Sequence, residues 1–350
     1  MRAHDIIATI EHLAPVWLAL PDDPVGLRAG DPNRDVPCVA VGLDADWKTV
    51  TQAIRLGAGM LVTHHPAFYN GLKSLDLRSA DGRLASAILR NDLIVYSAHT
   101  NLDIASGGVN DAMAARLGLR DVRPLSRTET RMGLRKLVVF VPESHAEAVR
   151  TAVCQAGAGV IGNYSGCAWR VSGTGTFLGN EDANPAVGEK GRLESVAEVR
   201  LEMILPRGTQ GPVLRALRAA HPYEEPAFDI YPVEDAVERG CGRVGALAEA
   251  MPLDAFAGFV RDTFGASHVR LFGAGVETVR TVAVWGGSGA PVGAAKRAGA
   301  DALVAGEFRY HECALAEHEG LALVDLGHGV SEAVVLEPLA AHLRAAHPKL

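Results

Sequence analysis

The chain has 350 residues, a formal net charge of −7 and a hydrophobic content of 48%. That length allows two or three domains with filled cores. The acidic balance and the lack of a long basic run argue against nucleic acid as a partner, and no stretch of about 18 apolar residues predicts a membrane span. The start lacks the order of a signal peptide, and five scattered cysteines without a Cys-x-x-Cys pair suit a reducing compartment. We therefore expect a cytoplasmic protein.

The first part of the chain alternates between helix and strand patterns. Apolar residues at helical spacing predict a helix over Asp5–Leu13. A loop rich in Pro, Gly and Asp is predicted over Pro21–Pro37, and Asp46 is in position to cap a later helix. The predicted strands are Val39–Leu43, Met60–Val62 and Leu93–Tyr96. Helices between successive strands predict a largely parallel sheet with right-handed crossovers.

The middle of the chain, about residues 134–233, has a different character. Ser144 and Glu147 form a capping-box pattern before a predicted helix. The glycine-rich segment Gly157–Lys190 is predicted to be irregular. The predicted strands are Leu137–Val141, Val199–Leu205 and Phe228–Tyr231, and a second helix is predicted over Val213–Ala220. This pattern indicates a small α+β unit of ferredoxin-like type, whose ends must lie close together if it is an insertion.

The last part of the chain returns to the α/β pattern. A helix is predicted from Asp254, followed by strands at Arg280–Trp285, Asp301–Ala305 and Leu321–Leu326. Since the two flanks are similar in plan, a core interrupted by an insert fits better than three domains in a row.

Four predicted strands end in histidines and carboxylates. The pairs are His64 and His65, His99 and Asp103, Glu307 and His311, and His328 and Glu332. Open α/β sheets bind ligands at the carboxyl ends of their strands. Histidine and carboxylate without cysteine suit Zn, Mn, Fe, Co or Ni. There are more such groups than one tetrahedral zinc needs, and they match two metals roughly 3.5–4 Å apart.

Each of these features also has a simpler explanation. Consecutive strand residues point to opposite faces, so His64 and His65 could serve two metals, or one could be buried and the other on the surface. Asp103 suits a turn, and Glu332 suits the solvated first turn of a capped helix. The amides of Gly286–Gly289 could bind a phosphate or carboxylate, or the segment could be a tight turn between a strand and a helix.

Five motifs together resemble the Nif-three-like family, whose members are commonly labelled GTP cyclohydrolase I type 2 homologues or dinuclear-metal hexameric proteins. In chain order they are Thr63–Pro66, Ala98–Asp103, Gly286–Gly289, Gly306–His311 and Gly327–Glu332. The middle part resembles the PII- and CutA-like insert of the longer bacterial members, notably at His221–Pro226. One departure is Pro24, which stands where the family usually has Asn.

The resemblance implies a fold class and a domain division. The fold would be α/β, with two three-layer α/β/α lobes forming one core that a ferredoxin-like α+β insert interrupts. The core would comprise residues 1–127 and 237–350, and the insert residues 128–236.

The resemblance also implies roles for the polar side chains. His64, His65, Asp103, His328 and Glu332 would bind two divalent metal ions, with Asp103 and Glu332 as bridges. The side chains near the metals, which we expect to take part in catalysis without being primary ligands, are His99, Glu307 and His311. The protein would form a hexameric ring with these sites facing its interior.

Two functions are consistent with these features. The first is a metal-dependent hydrolase acting on a small molecule, either a nucleotide, a phosphoester or a cyclic amide, with His99 or His311 moving the proton. The second is a non-catalytic ring that senses a metal or a small ligand. His221, Glu224 and Glu225 lie in a loop between prolines, which does not favour a second metal site.

Overall fold

A computed structural model describes residues 1–127, 134–162, 164–233, 240–273 and 275–350. The chain forms two compact units, the first from residues 1–129 and 238–350 and the second from residues 130–237. The predicted insert boundaries at residues 128 and 236 lie outside the described ranges. The protein has a mixed α/β fold, with three sheets among the described residues. Within the same ranges, no helix combines the length and the apolar character that crossing a membrane requires.

The first flank of unit one contains five helices and five strands in the described ranges. The helices are α1 Ala3–Leu13, α2 Trp47–Arg55, α3 Ala80–Arg90, α4 Thr100–Ile104 and α5 Val109–Arg116. The strands are β1 Gly26–Ala29, β2 Val39–Gly42, β3 Met60–Thr63, β4 Ile94–Ser97 and β5 Arg120–Arg127. The three strands predicted here are confirmed. Asp46 caps α2 as predicted, since its carboxylate accepts the Thr49 amide at 2.7 Å.

Unit two forms a four-stranded antiparallel sheet in the order β7-β8-β6-β9. Its elements are β6 Leu134–Pro142, α6 Ala146–Gln155, β7 Trp169–Leu178, β8 Leu193–Pro206, α7 Gln210–Ala220 and β9 Phe228–Pro232. Alternate residues of β6 and β8 pack against α6 and α7. This core includes Leu137, Val139, Leu201, Val149 and Val213.

Two predictions for unit two were wrong. The segment expected to be irregular contains β7, whose side chains are mostly exposed on both faces, so no apolar alternation marks it as a strand. The capping box does not form, because a 3-10 turn at Glu143–His145 precedes α6. The N-cap of α6 is therefore His145 and not Ser144. Ser144 instead bonds the ring of His145, with 2.9 Å between Oγ and Nδ1.

The second flank completes unit one. Its strands are β10 Gly240–Pro252, β11 Arg270–Phe272, β12 Thr278–Trp285, β13 Ala302–Ala305 and β14 Ala322–Asp325. Its helices are α8 Leu253–Phe264, α9 Val292–Arg297, α10 Tyr310–Glu319, α11 His328–Ala333 and α12 Leu336–Ala346. The strands predicted in this flank are confirmed, although β10 and β11 were not predicted.

Unit one holds two sheets, and the parallel arrangement predicted for the first part of the chain is confirmed in the smaller one. The four-stranded sheet has the order β1-β4-β3-β2, with β2, β3 and β4 parallel. The six-stranded sheet has the order β11-β14-β13-β12-β10-β5, in which only β12, β13 and β14 run parallel. The other three pairings are antiparallel, so this sheet is mixed. The pairing of β5 with β10 joins the two flanks.

One hydrophobic core connects the two sheets of unit one. It contains Ile6 and Ile10 of α1, Val62 and Tyr96 of the smaller sheet, Val284 and Val304 of the larger sheet, and Phe256 of α8. Helices α2 and α3 cover the outer face of the smaller sheet, and α9 and α10 that of the larger one. Strands β3, β4, β13 and β14 are therefore buried on both faces, as their continuous apolar sequences indicate.

A buried ion pair also ties the two flanks together. Arg243 of β10 is only 5% exposed. Its guanidinium donates to both carboxylate oxygens of Asp111 on α5, with Nη2 and Oδ2 3.0 Å apart, and to three backbone carbonyl oxygens. Within the part of the chain that the structure describes, Asp111 is the one carboxylate that pairs with Arg243.

We expect Asp111→Ala to lower the free energy of unfolding by about 3 kcal/mol, because removing one partner leaves a buried charge without compensation. Urea unfolding of the full chain measures this value. The matched control is Asp262→Ala, since Asp262 is 70% exposed and its pair with Arg261 lies at the surface. The control should change the value by less than about 0.5 kcal/mol. Equal losses in the two variants would contradict the assignment of Asp111 as a structural counter-ion.

Candidate metal centre

The predicted metal ligands lie at the carboxyl ends of buried strands. His64 and His65 follow β3 directly, and Asp103 lies in α4, just beyond β4. On the other flank, Gly327 turns the chain from β14 into α11 with a φ of +89°, a conformation that favours glycine. Because α11 begins at His328, this residue and Glu332 are one turn apart and share a face.

The structure brings these five side chains together around the Glu332 carboxylate. Oε1 of Glu332 lies 3.7 Å from Nε2 of His64 and 3.3 Å from Nε2 of His328, while Oε2 lies 3.0 Å from Nε2 of His65. Oδ1 of Asp103 lies 3.7 Å from the same His64 nitrogen. Donor atoms around a tetrahedral ion, each 2.0–2.2 Å from it, are roughly 3.3–3.6 Å apart. The observed separations are close to that spacing.

In three histidines, Nδ1 is hydrogen-bonded to an oxygen of the protein. Nδ1 of His64 lies 2.9 Å from the carbonyl oxygen of Ala98, that of His65 lies 2.7 Å from the Asp44 carboxylate, and that of His99 lies 2.7 Å from the Asp23 carboxylate. A carbonyl or carboxylate oxygen only accepts, so each Nδ1 donates and each neutral ring keeps its lone pair on Nε2. Metal-binding histidines are commonly oriented in this way.

Three buried polar atoms of this cluster make no hydrogen bond within the described residues. They are Nε2 of His64, Oδ1 of Asp103 and Oε2 of Glu332. The side chain of His64 is fully enclosed, and Glu332 as a residue is only 3% exposed. Leaving such atoms without a partner is costly in a folded protein. Cations held among them would satisfy these atoms, so the residues present fit a divalent metal.

The electrostatics of the cluster couple its histidines to its carboxylates. Contacts with Glu332 and Asp44 raise the pKa of His65 to about 9. Burial opposes charge on His64, but Asp103 and Glu332 nevertheless raise its pKa. Burial also opposes charge on Glu332, yet the neighbouring histidines lower its pKa, whereas burial raises the pKa of Asp103. The carboxylates thus favour protons on these histidines in the protein without metal, and metal binding would compete with those protons.

The three residues predicted to be near the metals occupy different positions. The ring centroid of His99 lies 5.2 Å from that of His64 and 5.7 Å from that of His65, and the three can offer donor atoms to one ion. Glu307 lies at the edge, with Oε1 3.6 Å from Nδ1 of His328. His311 is exposed in the first turn of α10, and within the described residues it makes no ion pair or ring contact with the cluster.

The turn at Gly286–Gly289 encloses the cluster, and two of its amides are used within the protein. The Gly286 amide donates to Oδ1 of Asn110 at 2.9 Å, and the Gly287 amide donates to Oγ of Ser331 at 3.0 Å. A Cβ on Gly287 would lie 2.3 Å from Oε1 of Glu332. Of the two alternatives left open by the sequence, these contacts favour the tight turn.

Sequence reasoning missed the residues that hold the histidines and the turn in place. Asp23 lies in the predicted loop, is only 4% exposed and also accepts the Thr100 amide at 3.1 Å. Asp44 lies between the predicted strand Val39–Leu43 and the capping residue Asp46, and no role was predicted for it. Buried Asn110 donates to the Asp103 carbonyl oxygen at 2.8 Å. The available signal for Asp23 was its place at the start of the segment Asp23–Leu27, in which Pro24 stands where the family usually has Asn. Without that segment, an aspartate in a loop looks like an ordinary turn residue.

His221 does not belong to this kind of site. Its Nδ1 accepts the Tyr223 amide at 3.1 Å, and its Nε2 lies 3.0 Å from the carbonyl oxygen of Phe140. Both ring nitrogens are therefore used within the fold. Among the described residues, neither group of potential metal-binding side chains contains His221, Glu224 or Glu225.

The fold and the cluster define a class of protein: a mixed α/β protein in which two flanks of the chain supply histidines and carboxylates to one candidate metal centre. The sequence model of Duf34/NIF3 (NGG1p interacting factor 3) matches residues 1–350. The chain belongs to this family.

Relatives and solved structures agree with this assignment. The chain is 43% identical over 329 residues to a GTP cyclohydrolase 1 type 2 homolog of Halalkalibacterium halodurans, covering 93% of this chain and 88% of that protein. It is 42% identical to the Bacillus subtilis protein of the same name, covering 94% and 88%. The crystal structure of a Bacillus cereus protein related to NIF3 matches with a TM-score of 0.67 and 40% identity, covering 99% of this chain and 94% of that one.

We expect Asp23→Asn to lower the free energy of unfolding by about 2 kcal/mol at neutral pH, because it removes a charged acceptor from His99 and Thr100. Burial opposes ionisation of Asp23, but these contacts lower its pKa below the ordinary 3.8. Its contribution is therefore present above that value and is lost as the pH falls through the lowered pKa. Urea unfolding at several pH values measures the difference between wild type and variant.

The neighbouring Asp22 provides the control, because it is exposed. Asp22→Asn should change the free energy of unfolding by less than about 0.5 kcal/mol at any of these pH values. A difference between Asp23→Asn and wild type that stays constant on acidification would contradict the proposed contacts of the Asp23 carboxylate.

Proposed function

We propose that the protein binds two divalent metal ions and acts as a metal-dependent hydrolase on a nucleotide, a phosphoester or a cyclic amide. His64, His65, Asp103, His328 and Glu332 would hold the ions. The observation that carries this proposal is the convergence of three Nε2 atoms on the Glu332 carboxylate, at 3.0–3.7 Å, in a buried location. The name GTP cyclohydrolase 1 type 2 homolog, borne by the relatives, supports the substrate classes.

The positions of the donors favour two ions over one. Oε1 of Glu332 faces His64 and His328, and Oε2 faces His65. His65, His328 and Glu332 form one group that could hold an ion, whereas His64 forms another group with His65 and His99. A carboxylate whose two oxygens face different histidines is suited to bridge a metal pair, and Asp103 beside His64 supplies a second acidic group. The donor set of nitrogen and oxygen atoms is compatible with Zn, Mn, Fe, Co or Ni.

The chain's own residues suggest how the site would work. Divalent ions, when bound, would lower the pKa of a water and polarise an oxygen or carbon electrophile. His99 donates through Nδ1 to Asp23, so its Nε2 is available to take a proton and later return it. The exposed His311 is the alternative carrier of this proton, and Glu307, 3.6 Å from Nδ1 of His328, would be a further polar group beside the ions.

We also propose an architecture and an assembly for the whole chain. Unit one would be a core of two three-layer α/β/α lobes. Residues 128–236 would form a ferredoxin-like insert, which the two helices on one side of the antiparallel sheet of unit two support. Six chains would form a ring with the metal sites facing its interior, as the family resemblance implies.

Metal content and turnover test the proposed function. We expect the full chain, loaded with Zn or Mn and then dialysed, to retain two ions per chain by elemental analysis, and His64→Ala to retain no more than one. The loaded wild type should convert at least one member of a panel of GTP, phosphodiesters and cyclic amides, and His64→Ala should not.

The two readouts separate the parts of the proposal. Retention of one ion or none by the wild type would contradict the dinuclear site. Two retained ions without turnover of any panel member would contradict the hydrolase and favour the metal- or ligand-sensing ring.

A pair of glycine variants tests whether the position of Glu332 controls metal binding. Gly287 and Gly289 have φ values of +66° and +76°, so alanine costs either position about 1–2 kcal/mol of backbone strain. A Cβ would lie 2.3 Å from Glu332 Oε1 at Gly287, whereas at Gly289 it would have nothing within 4 Å. We expect Gly287→Ala to weaken metal binding at least about tenfold and Gly289→Ala to leave it near wild type.

Calorimetric titration with Zn measures both affinities, and thermal unfolding shows whether the two variants carry similar strain. Equal metal affinities in two folded variants would contradict the role assigned to Glu332.

A further inference from the structure

A groove outside the candidate metal centre lies in unit two. It encloses about 710 Å³ and is lined by β7, by parts of β6 and β8, and by the loops at residues 179–186 and 223–227. All of its lining residues belong to unit two. The volume is within the range of about 300–1,000 Å³ that small-molecule pockets usually have.

Glycines on one face of β7 make room for this groove. Gly173 pairs with Glu198 of β8, and Val171 pairs with Arg200, so these residues lie on the same face of the sheet. A Cβ on Gly173 would contact nothing within 4 Å, which shows that the space above it is open. A Cβ on Gly175 would lie 2.1 Å from Oε2 of Glu198, so this carboxylate lies directly against the strand at the floor of the groove.

The walls of the groove are aromatic. Phe140 lines one side, and Phe177 and Tyr223 line the groove as a pair with 6.3 Å between ring centroids. The hydroxyl oxygen of Tyr223 is buried and makes no hydrogen bond of ordinary geometry within the described residues, although burial and the nearby Glu198 carboxylate together raise the pKa of this hydroxyl. The hydroxyl and the Glu198 carboxylate thus form one polar position that a bound molecule could bond to.

The charged groups of the groove are mainly acidic. Glu198, Glu224 and Glu225 line it, and Arg200 is the one basic residue among the lining side chains. Arg200 pairs with Glu202, with Nε and Oε1 2.8 Å apart, but Glu202 also pairs with Lys136 at 2.8 Å. The Arg200 guanidinium lies 5.8 Å from the Phe140 ring centroid. Glu224 accepts the Asn184 amide at 2.8 Å, and among the described residues none of the three groove carboxylates forms an ion pair. The groove therefore presents three carboxylates beside aromatic rings, and such surroundings attract organic cations.

We propose that this groove binds a small organic cation with a flat apolar part, whose positive group pairs with Glu198 and whose ring packs between Phe140, Phe177 and Tyr223. The proposal does not depend on the function proposed for the metal centre. Phosphate-bearing molecules would be disfavoured, because their charge would meet the same carboxylates.

Two probes of nearly equal shape and opposite charge test the charge preference. Benzamidine is a planar cation, and benzoate is its anionic counterpart. Titrations use the full chain after treatment with a chelator, so that the metal centre does not contribute. We expect saturable binding of benzamidine, and binding of benzoate at least about tenfold weaker. Equal binding of both probes, or no binding of benzamidine, would overturn the proposal.

Three variants locate the binding site. Gly173→Val fills the floor of the groove, and Glu198→Gln removes the charge while keeping the side chain's size. Each should weaken benzamidine binding at least about tenfold. Arg170→Val is the control, since Arg170 is an exposed residue of the same strand that does not line the groove.

Thermal unfolding and circular dichroism show whether each variant is folded. Wild-type affinity in folded Gly173→Val or in folded Glu198→Gln would overturn the location, as would an equal loss in the Arg170→Val control.

Discussion

The buried carboxylate of Glu332 is the group on which the candidate metal centre depends. It is only 3% exposed, and its two oxygens face the Nε2 atoms of His64, His65 and His328 at 3.0–3.7 Å. A carboxylate removed from water is costly unless positive groups or donors surround it. Two of the histidines belong to one flank of the chain and the third to the other, so both flanks must fold together before this charge is compensated.

The positions of the candidate ligands could be predicted from the sequence, because each lies directly beyond an apolar strand, and strand ends are a local feature. The groups that orient them could not. Asp23 and Asp44 lie in loops 76 and 21 residues from the histidines they bond. A loop aspartate can accept a hydrogen bond from a distant histidine or close a turn, and the local sequence does not show which of the two it does. Only the folded chain shows that both aspartates turn a ring nitrogen toward the cluster.

The difference between local and long-range features also explains which parts of the fold could be predicted from the sequence. Strands β3, β4, β13 and β14 are covered on both faces, so their sequences are continuously apolar and easily recognised. Strand β7 is mostly exposed on both faces and rich in Gly, Ser and Thr, so its sequence does not alternate between apolar and polar residues. The pairing of β5 with β10 joins segments more than 100 residues apart and makes the larger sheet mixed, which no pattern within either strand indicates.

Glycines in two neighbouring turns explain how so polar a cluster is enclosed. Gly287 follows β12 and Gly306 follows β13, and a Cβ on Gly306 would lie 2.5 Å from the Gly287 carbonyl oxygen and 2.7 Å from Oγ of Ser331. The two turns therefore contact each other and α11 with backbone alone, so water is excluded from one side of Glu332. Exclusion of water strengthens every charge interaction inside. An apolar cluster of the same volume would give equal or greater stability. That these glycines instead make room for histidines and carboxylates is what we expect of a site whose charged groups serve binding.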